Sequence, residues 1–244
     1  MEMATAGRTV IVTGASQGIG AGIVRAFLAR GYNAVGTARN ATKSRELSAS
    51  DHLALIDGDI GQFETAQKVA ELALKKFGSI DAVVANAGIF LVKPFTEYSA
   101  EDFRALLATN LSGFVYIAQL AVKQMQAQRR GGSIVSISAA LADNPIAGVP
   151  ASVPMITKGG LNAVIGSLAL EYAKEHIRFN AVAPGVVDTP LHANDSKDVL
   201  KTLSPMGTIS TVEEVASAVV YLTEARQITG DVLHVDGGTH VGKW

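Results

Sequence analysis

The chain has 244 residues, of which 48% are hydrophobic and 18% are charged, a composition typical of a globular protein. Its 21 Lys and Arg residues nearly balance its 22 Asp and Glu residues, and the net charge of −1 excludes a strongly basic nucleic-acid-binding protein and an acidic disordered tail. Because the sequence contains no cysteine, it has no disulfide framework, no thiolate nucleophile and no cysteine-based metal site.

Residues 1–14 have neither the basic stretch nor the apolar core of a secretory signal peptide. No uninterrupted apolar run in the sequence reaches the length of a membrane span. The five histidines do not show metal-ligand spacing, so we expect no metal. These features predict a soluble, cytoplasmic protein.

Strands and helices are predicted to alternate from end to end. Apolar, β-branched runs predict strands at residues 8–13, 33–37, 53–56, 80–85, 133–138, 177–182 and 231–235. Helical spacing of apolar residues predicts helices at residues 18–30, 62–77, 100–126, 153–174 and 212–223. Two of these helices begin at sequences that resemble capping boxes, Ser99-x-x-Asp102 and Thr211-x-x-Glu214.

Strands that are apolar over most of their length are typical of a parallel sheet with helices on both faces. We therefore expect an α/β protein with a single Rossmann-type domain over residues 1–244, doubly wound around a seven-stranded parallel sheet. The expected strand order is 3-2-1-4-5-6-7, which opens a ligand crevice where strands one and four diverge.

A glycine-rich turn between the first strand and the first helix is the first candidate ligand site. Gly14 permits a tight turn, Gly18 lets the backbone approach a pyrophosphate, and Gly20 lets the helix pack against the strand. The start of the helix then presents N–H donors and a partial positive charge to phosphates. The alternative is a strand-to-helix turn that binds no ligand. We predict a dinucleotide-binding loop that consists of Gly14, Ser16, Gln17, Gly18, Ile19 and Gly20.

Further motifs follow in the order Asn86-Ala87-Gly88, Asn110, Lys158 and Pro184-Gly185. Together with Thr13 to Gly20, they resemble the short-chain dehydrogenase/reductase family over almost the whole chain. The resemblance implies an oxidoreductase with a nicotinamide dinucleotide, a small-molecule substrate and a homotetramer or homodimer. It also implies that Lys158 binds the nicotinamide ribose. Further cofactor contacts that it implies are Asp59, Ile60, Asn86, Gly88, Pro184, Gly185, Val187 and Thr189.

The residue that selects between NAD and NADP normally follows the second strand, about 20 residues after the glycines. This chain has Ala38 and Arg39 there, so no carboxylate repels a 2′-phosphate and a guanidinium is available to pair with it. We therefore expect NADP(H) to be favoured over NAD(H). Gln17 weakens this expectation, because related NADP-dependent proteins often have Arg or Lys nearby. The alternative is that Arg39 is a solvated loop residue.

The resemblance breaks down at the catalytic residues. Family members usually use Asn, Ser, Tyr and Lys, with Tyr four residues before Lys on one helix. In this chain Pro154 stands four residues before Lys158, and Ala139 stands where the Ser is usual, with Ser138 one place earlier. Pro154 fits the first turn of a helix, with Ser152 or Val153 at or near the cap. The expected catalytic residues are Lys158, Asn110 and Ser138.

Three functions remain open on the sequence. The first is oxidation of an alcohol or reduction of a ketone with altered acid/base chemistry, in which Lys158, Ser138, Thr157 or His192 holds a water. The second is a catalytically inactive dinucleotide-binding sensor or scaffold, and the third is a lyase or dehalogenase. Because residues 89–95, 139–152 and 191–210 are mostly apolar, they predict a small, fairly apolar substrate.

Overall fold

Seven parallel strands form one sheet in the order β3-β2-β1-β4-β5-β6-β7, which confirms the predicted topology. The structure is a computed structural model that describes residues 7–242; residues 1–6 and 243–244 of the predicted domain lie outside the described residues. The strands are β1 Thr9–Thr13, β2 Asn33–Ala38, β3 Leu53–Asp57, β4 Ala82–Ala85, β5 Gly132–Ile137, β6 Ile177–Pro184 and β7 Val232–Val235.

The helices are α1 Gly18–Ala29, α2 Phe63–Phe77, α3 Ala100–Leu106, α4 Gly113–Gln128, α5 Ser152–Glu171, α6 Lys197–Lys201 and α7 Val212–Glu224. Both predicted capping boxes are present. Ser99 and Asp102 exchange hydrogen bonds at the start of α3, and Thr211 and Glu214 do so at the start of α7. These caps satisfy backbone N–H groups that have no partner inside the helix.

The sheet separates two apolar cores, which explains why its strands are apolar on both faces. Ile11 of β1 points into the core that contains helices α2, α4 and α5. Its neighbours Val10 and Val12 point to the opposite face, against α1 and α7. Side chains alternate between faces along a strand, so burial of both faces requires a continuous apolar run.

The sheet reverses its winding at β1, which pairs with both β2 and β4. Side-chain hydrogen bonds join the ends of β1 and β4 here. Asn86 Nδ2 donates to the carbonyls of Thr13 and Gly14 at 2.9 and 3.1 Å. Thr13 Oγ1 accepts from the backbone N–H groups of Asn86 and Ala87. The predicted proximity of Asn86 to the glycine loop is therefore confirmed.

Some local features differ from the sequence prediction. The long helix after Ser99 is interrupted by a π-helical turn, Leu107–Ser112, which separates α3 from α4. The N-cap of α5 is Ala151, so Ser152 and Val153, predicted at or near the cap, begin the first turn together with Pro154. The short helix α6 was not predicted, because five residues are too few to show a helical period.

Two helical segments, Ala100–Gln128 and Ser152–Glu171, are long and apolar enough to cross a membrane by length and composition alone. This contrasts with the sequence expectation, which considered uninterrupted apolar runs only. In the fold, residues of α4 and α5 such as Ile117 and Ile165 belong to the core beneath the sheet. Their apolar composition therefore contributes to the interior of the domain.

Two helical glycines provide a test of the close packing between α1 and β1. A Cβ atom at Gly20 would collide with the Gly14 carbonyl and lie 2.6 Å from Asn86 Nδ2, whereas one at Gly166 would have no neighbour within 4 Å. We expect Gly20→Ala to lower the free energy of unfolding by about 1–3 kcal/mol or more. Gly166→Ala should raise it by about 0.5–1 kcal/mol, because glycine weakens a helix interior. Urea unfolding measures both, and equal effects would contradict the packing argument.

Candidate active site

The carboxyl ends of β1, β2, β4, β5 and β6 border one crevice of about 1440 Å³. Every residue predicted to contact the cofactor lines it. They are Gly14, Ser16, Gln17, Gly18, Ile19, Gly20, Arg39, Asp59, Ile60, Asn86, Gly88, Lys158, Pro184, Gly185, Val187 and Thr189. The tertiary structure thus brings to one place residues that are distributed over most of the sequence.

The glycine loop has the backbone that close approach to a ligand requires. Gly14 has a φ of +67°, and a Cβ atom there would lie 2.8 Å from Ala87 Cα, so the turn excludes larger residues. Gly18 also has a positive φ, of +56°, at the start of α1. Its N-cap, Gln17, makes no capping hydrogen bond through its side chain. The N–H donors and positive end of α1 therefore fit the pyrophosphate of a dinucleotide.

The crossover from β2 to β3 contains a 3₁₀ turn, Ala41–Lys43, and no α-helix, and it folds onto the glycine loop. Ser44 Oγ donates to the Ser16 carbonyl at 2.6 Å. Glu46 Oε1 accepts from the Gly18 N–H at 3.0 Å, and Arg25 holds the other carboxylate oxygen at 2.9 Å. Partial burial raises the pKa of Glu46, but these hydrogen bonds outweigh it, so that the pKa is lowered overall.

This crossover adds five crevice residues that the sequence analysis missed. They are Asn40, Lys43, Ser44, Arg45 and Glu46. The signal available in the sequence was the cluster of charged residues directly after Arg39. With Arg39, the two additional basic residues concentrate positive charge at the end of the crevice formed by β2 and β3.

Lys158 lies on α5 with its side chain buried among apolar groups. Its Nζ donates to the Ile137 carbonyl at 2.7 Å, at the end of β5. The same nitrogen lies 3.2 Å from the position that a Cβ atom at Gly88 would take. Burial lowers the pKa of Lys158 from 10.5 to about 8, because the low-dielectric surroundings disfavour the ammonium. Ser138 is adjacent and also lines the crevice; its Oγ donates to the Lys158 carbonyl at 3.3 Å.

Asn110 is buried, and its side chain joins the loop after β4 to α5. Its amide makes hydrogen bonds to the backbone N–H and carbonyl of Ile89, and its Nδ2 also donates to Thr157 Oγ1 at 2.9 Å. Thr157 Oγ1 in turn donates to the Pro154 carbonyl. These contacts fix the loop after β4 against α5, and the catalytic role of Asn110 stays a prediction.

Pro154 is buried in the first turn of α5, four residues before Lys158. The residues that line the crevice, within the described range 7–242, include no tyrosine. Tyr98 is bonded to the Leu91 carbonyl, and Tyr116 packs against Phe63. The crevice beside Lys158 therefore lacks a phenol that could supply a proton.

The segment after β6 covers the glycine loop. Thr189 and Pro190 each have an atom 3.5 Å from the position of a Cβ atom at Gly18. His192 follows in a short 3₁₀ turn and lines the crevice, with its Nδ1 2.7 Å from Asp195 Oδ2. This segment therefore packs against the start of α1.

Comparisons with known proteins identify the family. A family model described as Enoyl-(Acyl carrier protein) reductase matches residues 14–240. The 3beta-hydroxysteroid dehydrogenase 1 of Eggerthella lenta is 32% identical over 249 residues, which cover 95% of this chain and 93% of the relative. The chain belongs to the short-chain dehydrogenase/reductase family.

Two solved relatives agree with this short-chain dehydrogenase/reductase fold. The 3-ketoacyl-(acyl-carrier-protein) reductase of Brucella melitensis, complexed with NADH, has a TM-score of 0.89 and 28% identity, covering 96% of this chain and 99% of that chain. ElxO with NADP bound has a TM-score of 0.87 and 29% identity, covering 95% of this chain and 98% of that chain. Because the two relatives hold different cofactors, the choice between NAD(H) and NADP(H) depends on this chain's own residues.

The buried ammonium of this short-chain dehydrogenase/reductase has a measurable effect on stability. Lowering the pKa of Lys158 from 10.5 to about 8 destabilises the folded chain by roughly 3 kcal/mol while the group is charged in both states. Between pH 8 and 10.5 the unfolded chain binds more protons, so stability rises with pH. We expect Lys158→Met to raise the free energy of unfolding at pH 7 by up to about 3 kcal/mol.

The gain from Lys158→Met should shrink as the pH rises from 7 to 10, because the parent then loses its buried charge. Urea unfolding of both proteins at several pH values measures this difference. The matched control is Lys68→Met on the exposed side of α2, for which we expect no pH-dependent difference. A gain from Lys158→Met that stays constant with pH would contradict a depressed pKa.

Proposed function

We propose that this chain is an NADP(H)-dependent oxidoreductase that interconverts a small, fairly apolar alcohol and ketone through an altered acid/base site. The observation that carries the proposal is one crevice that joins the glycine loop, the basic β2–β3 crossover and the buried Lys158. Relatives that cover nearly the whole chain have names that describe redox reactions, which favours an enzyme over an inactive sensor.

The residues of the crevice fit a nicotinamide dinucleotide along its whole length. Gly14, Gly18 and the start of α1 would hold the pyrophosphate, and Asp59 with Ile60 would contact the adenine. Thr189 and the backbone of Val187 would hold the carboxamide, while Lys158 would bind the nicotinamide ribose. When bound, the cofactor supplies or accepts the hydride. The apolar residues around it exclude water from the reacting groups.

The basic crossover supports a preference for NADP(H). Arg39, Lys43 and Arg45 line the crevice where the second and third strands end, and Ala38 provides no carboxylate to repel a 2′-phosphate. Glu46 is the acidic residue of this crossover that lines the crevice, and Arg25 and the Gly18 N–H already neutralise it. The balance of charge favours the more negative of the two cofactors.

Cofactor preference is tested at positions 38 and 39. We expect the parent chain to bind NADPH more tightly than NADH, and Ala38→Asp to raise the Kd of NADPH by about tenfold or more through charge repulsion. Arg39→Gln should weaken NADPH binding and leave NADH binding nearly unchanged, because only NADPH has the 2′-phosphate. Fluorescence titration of both cofactors against the parent and the two variants measures the six constants. Equal constants for NADPH and NADH in the parent would refute the preference.

The substrate end of the crevice supports an apolar carbonyl compound. Its lining is dominated by aliphatic and aromatic side chains. They are Ile89, Phe90, Leu91, Val92, Leu141, Ile146, Val149, Leu191 and Leu203. Such a surface gains most from burying an apolar ligand and offers few partners to a sugar. A panel of steroid, aliphatic and aromatic ketones, with NADPH consumption as the readout, identifies the class.

Residue 154 provides the test of the altered acid/base site. We expect ordinary ketone reduction to be slow in the parent and to increase in Pro154→Tyr by up to about 10²–10⁴, because a phenol would donate the proton. Combining it with Ala139→Ser should exceed either change alone, since both groups act on the same oxygen. Pro154→Phe is the matched control, with the ring but not the hydroxyl. A rate that is equal in Pro154→Tyr and Pro154→Phe would refute the assignment.

We further propose a homo-oligomer, a homotetramer by likeness to the family. Val115 of α4 and Ile156 and Leu170 of α5 are large apolar residues that lie exposed on one chain. Burial of such residues against a second copy is favourable. Light scattering at micromolar concentration should give a multiple of the 25.4 kDa chain mass, and a monomer would count against the proposal.

A further inference from the structure

Few groups that line the crevice can exchange a proton near the reacting carbonyl. Most of its titratable residues lie on or beside the β2–β3 crossover, where we propose that the adenosine binds. They are Arg39, Lys43, Arg45, Glu46 and Asp59. Within the described residues, the remaining titratable groups of the lining are Lys158 and His192. The missing phenol therefore leaves two candidates for the proton donor.

Lys158 lines the crevice and has unused hydrogen-bonding capacity. An ammonium has three N–H donors, and the described residues provide one acceptor, the Ile137 carbonyl. No carboxylate between residues 7 and 242 forms an ion pair with it, although it is 94% buried, with 6% of its surface exposed. A buried, unpaired ammonium is costly, so its free donors favour an incoming ligand.

Charged groups on the surrounding elements are occupied elsewhere. Asp143, after the 3₁₀ turn that follows β5, pairs with His234. Arg178 of β6 donates to the carbonyls of residues 222, 223 and 228. Glu171 lies at the other end of α5 from Pro154. None of these groups is placed to compete with a substrate for Lys158.

His192 is the weaker candidate because of where its segment lies. The residues just before it, Thr189 and Pro190, pack against Gly18 at the start of α1. Its Nδ1 is held by Asp195, whose side chain is half exposed, at the surface of the covering segment. Lys158, in contrast, reaches the end of β5, where its Nζ donates to the Ile137 carbonyl.

Building on the function proposed above, we propose that Lys158 is itself the proton donor to the substrate oxygen. In the direction of reduction, the carbonyl carbon gains the hydride of NADPH and the π electron pair moves to the oxygen. An Nζ–H bond of Lys158 then breaks, its proton forms the O–H bond of the alcohol, and its electron pair remains on the nitrogen. Solvent returns the proton to the amine after product release. The Ser138 hydroxyl, which donates to the Lys158 carbonyl, holds this part of α5 against the end of β5.

The burial of Lys158 gives this role a defined pH dependence. Its pKa of about 8 means that the ammonium, the form required for reduction, predominates below pH 8. The rate of reduction should therefore be level below that pH and fall above it. The rate of alcohol oxidation, which requires the neutral amine, should rise over the same interval.

The absence of cysteine from the chain allows a direct test. Lys158→Cys introduces a single thiol, which bromoethylamine converts into a lysine analogue with sulfur in place of one methylene. Sulfur withdraws electrons, so the ammonium of this analogue is more acidic than that of lysine. We would measure kcat for ketone reduction against pH, and the Kd of NADPH, in the parent, the variant and the alkylated variant. Lys174→Cys, at an exposed position after α5, is alkylated as the control.

We expect Lys158→Cys to lower kcat by about 10²–10⁴-fold. Alkylation should raise kcat of this variant by about tenfold or more. In the alkylated variant the fall of kcat at high pH should move to lower pH, while the alkylated Lys174→Cys control keeps the parent profile. Carbon-13 NMR of the lysine ε-carbons, without cofactor, should show one signal that titrates near pH 8 and is missing in Lys158→Arg.

The role of Lys158 would be overturned if kcat of the alkylated variant fell at the same high pH as kcat of the parent. It would also be overturned if the fall of kcat at high pH disappeared in His192→Gln. Titration of Lys158 like an ordinary surface lysine in the NMR experiment would also overturn it. A parent chain that binds NADPH but reduces no ketone of the panel would overturn the proposed function and this role together. Turnover with a pH profile independent of residue 158 would overturn this role alone.

Discussion

The hydrogen bonds between the ends of β1 and β4 are the constraint on which the rest of the site depends. Because β1 pairs with β2 on one side and β4 on the other, the crossovers leave in opposite directions and a gap opens above the sheet. Asn86 spans this gap by donating to the carbonyls of Thr13 and Gly14. Its amide thus fixes the position of the glycine loop relative to the end of β4.

The same arrangement explains why a titratable group can be buried without a counter-ion. Helix α5 is held by its apolar face, and Lys158 reaches from that helix to the Ile137 carbonyl at the end of β5. The hydrogen bond orients the amine but does not compensate its charge. Burial then lowers the pKa of Lys158 and destabilises the folded chain. The apolar packing of the surrounding core offsets this loss of stability. A buried cation that reduces stability is consistent with a functional role.

The β2–β3 crossover shows how a short connection changes the other end of the crevice. With a single 3₁₀ turn in place of a helix, residues 44–46 lie against the glycine loop rather than over the sheet. Arg45 and Lys43 thereby join Arg39 along the crevice. The opposite end of the crevice is apolar and this end is basic, so the two ends favour chemically different ligand groups.

Sequence patterns were sufficient for the elements and for the glycine loop, because both depend on local physics. Apolar runs predicted the strands within about two residues, and Ser99 with Asp102 predicted the start of α3 by a cap that needs only four consecutive residues. Gly14 and Gly20 were identifiable because a positive φ and a close helix–strand contact exclude side chains. The place of Pro154 in the first turn of α5 followed from its missing N–H.

Only the tertiary structure decided which groups meet. The sequence places Asn110 in a long helix, and only the fold brings its amide to Ile89 and Thr157. The π-helical turn that contains Asn110, the contact of Glu46 with Gly18 and the lowered pKa of Lys158 all arise from packing between distant segments. Local sequence determines the conformation of a segment, whereas burial and hydrogen bonding between segments depend on how the whole chain closes around them.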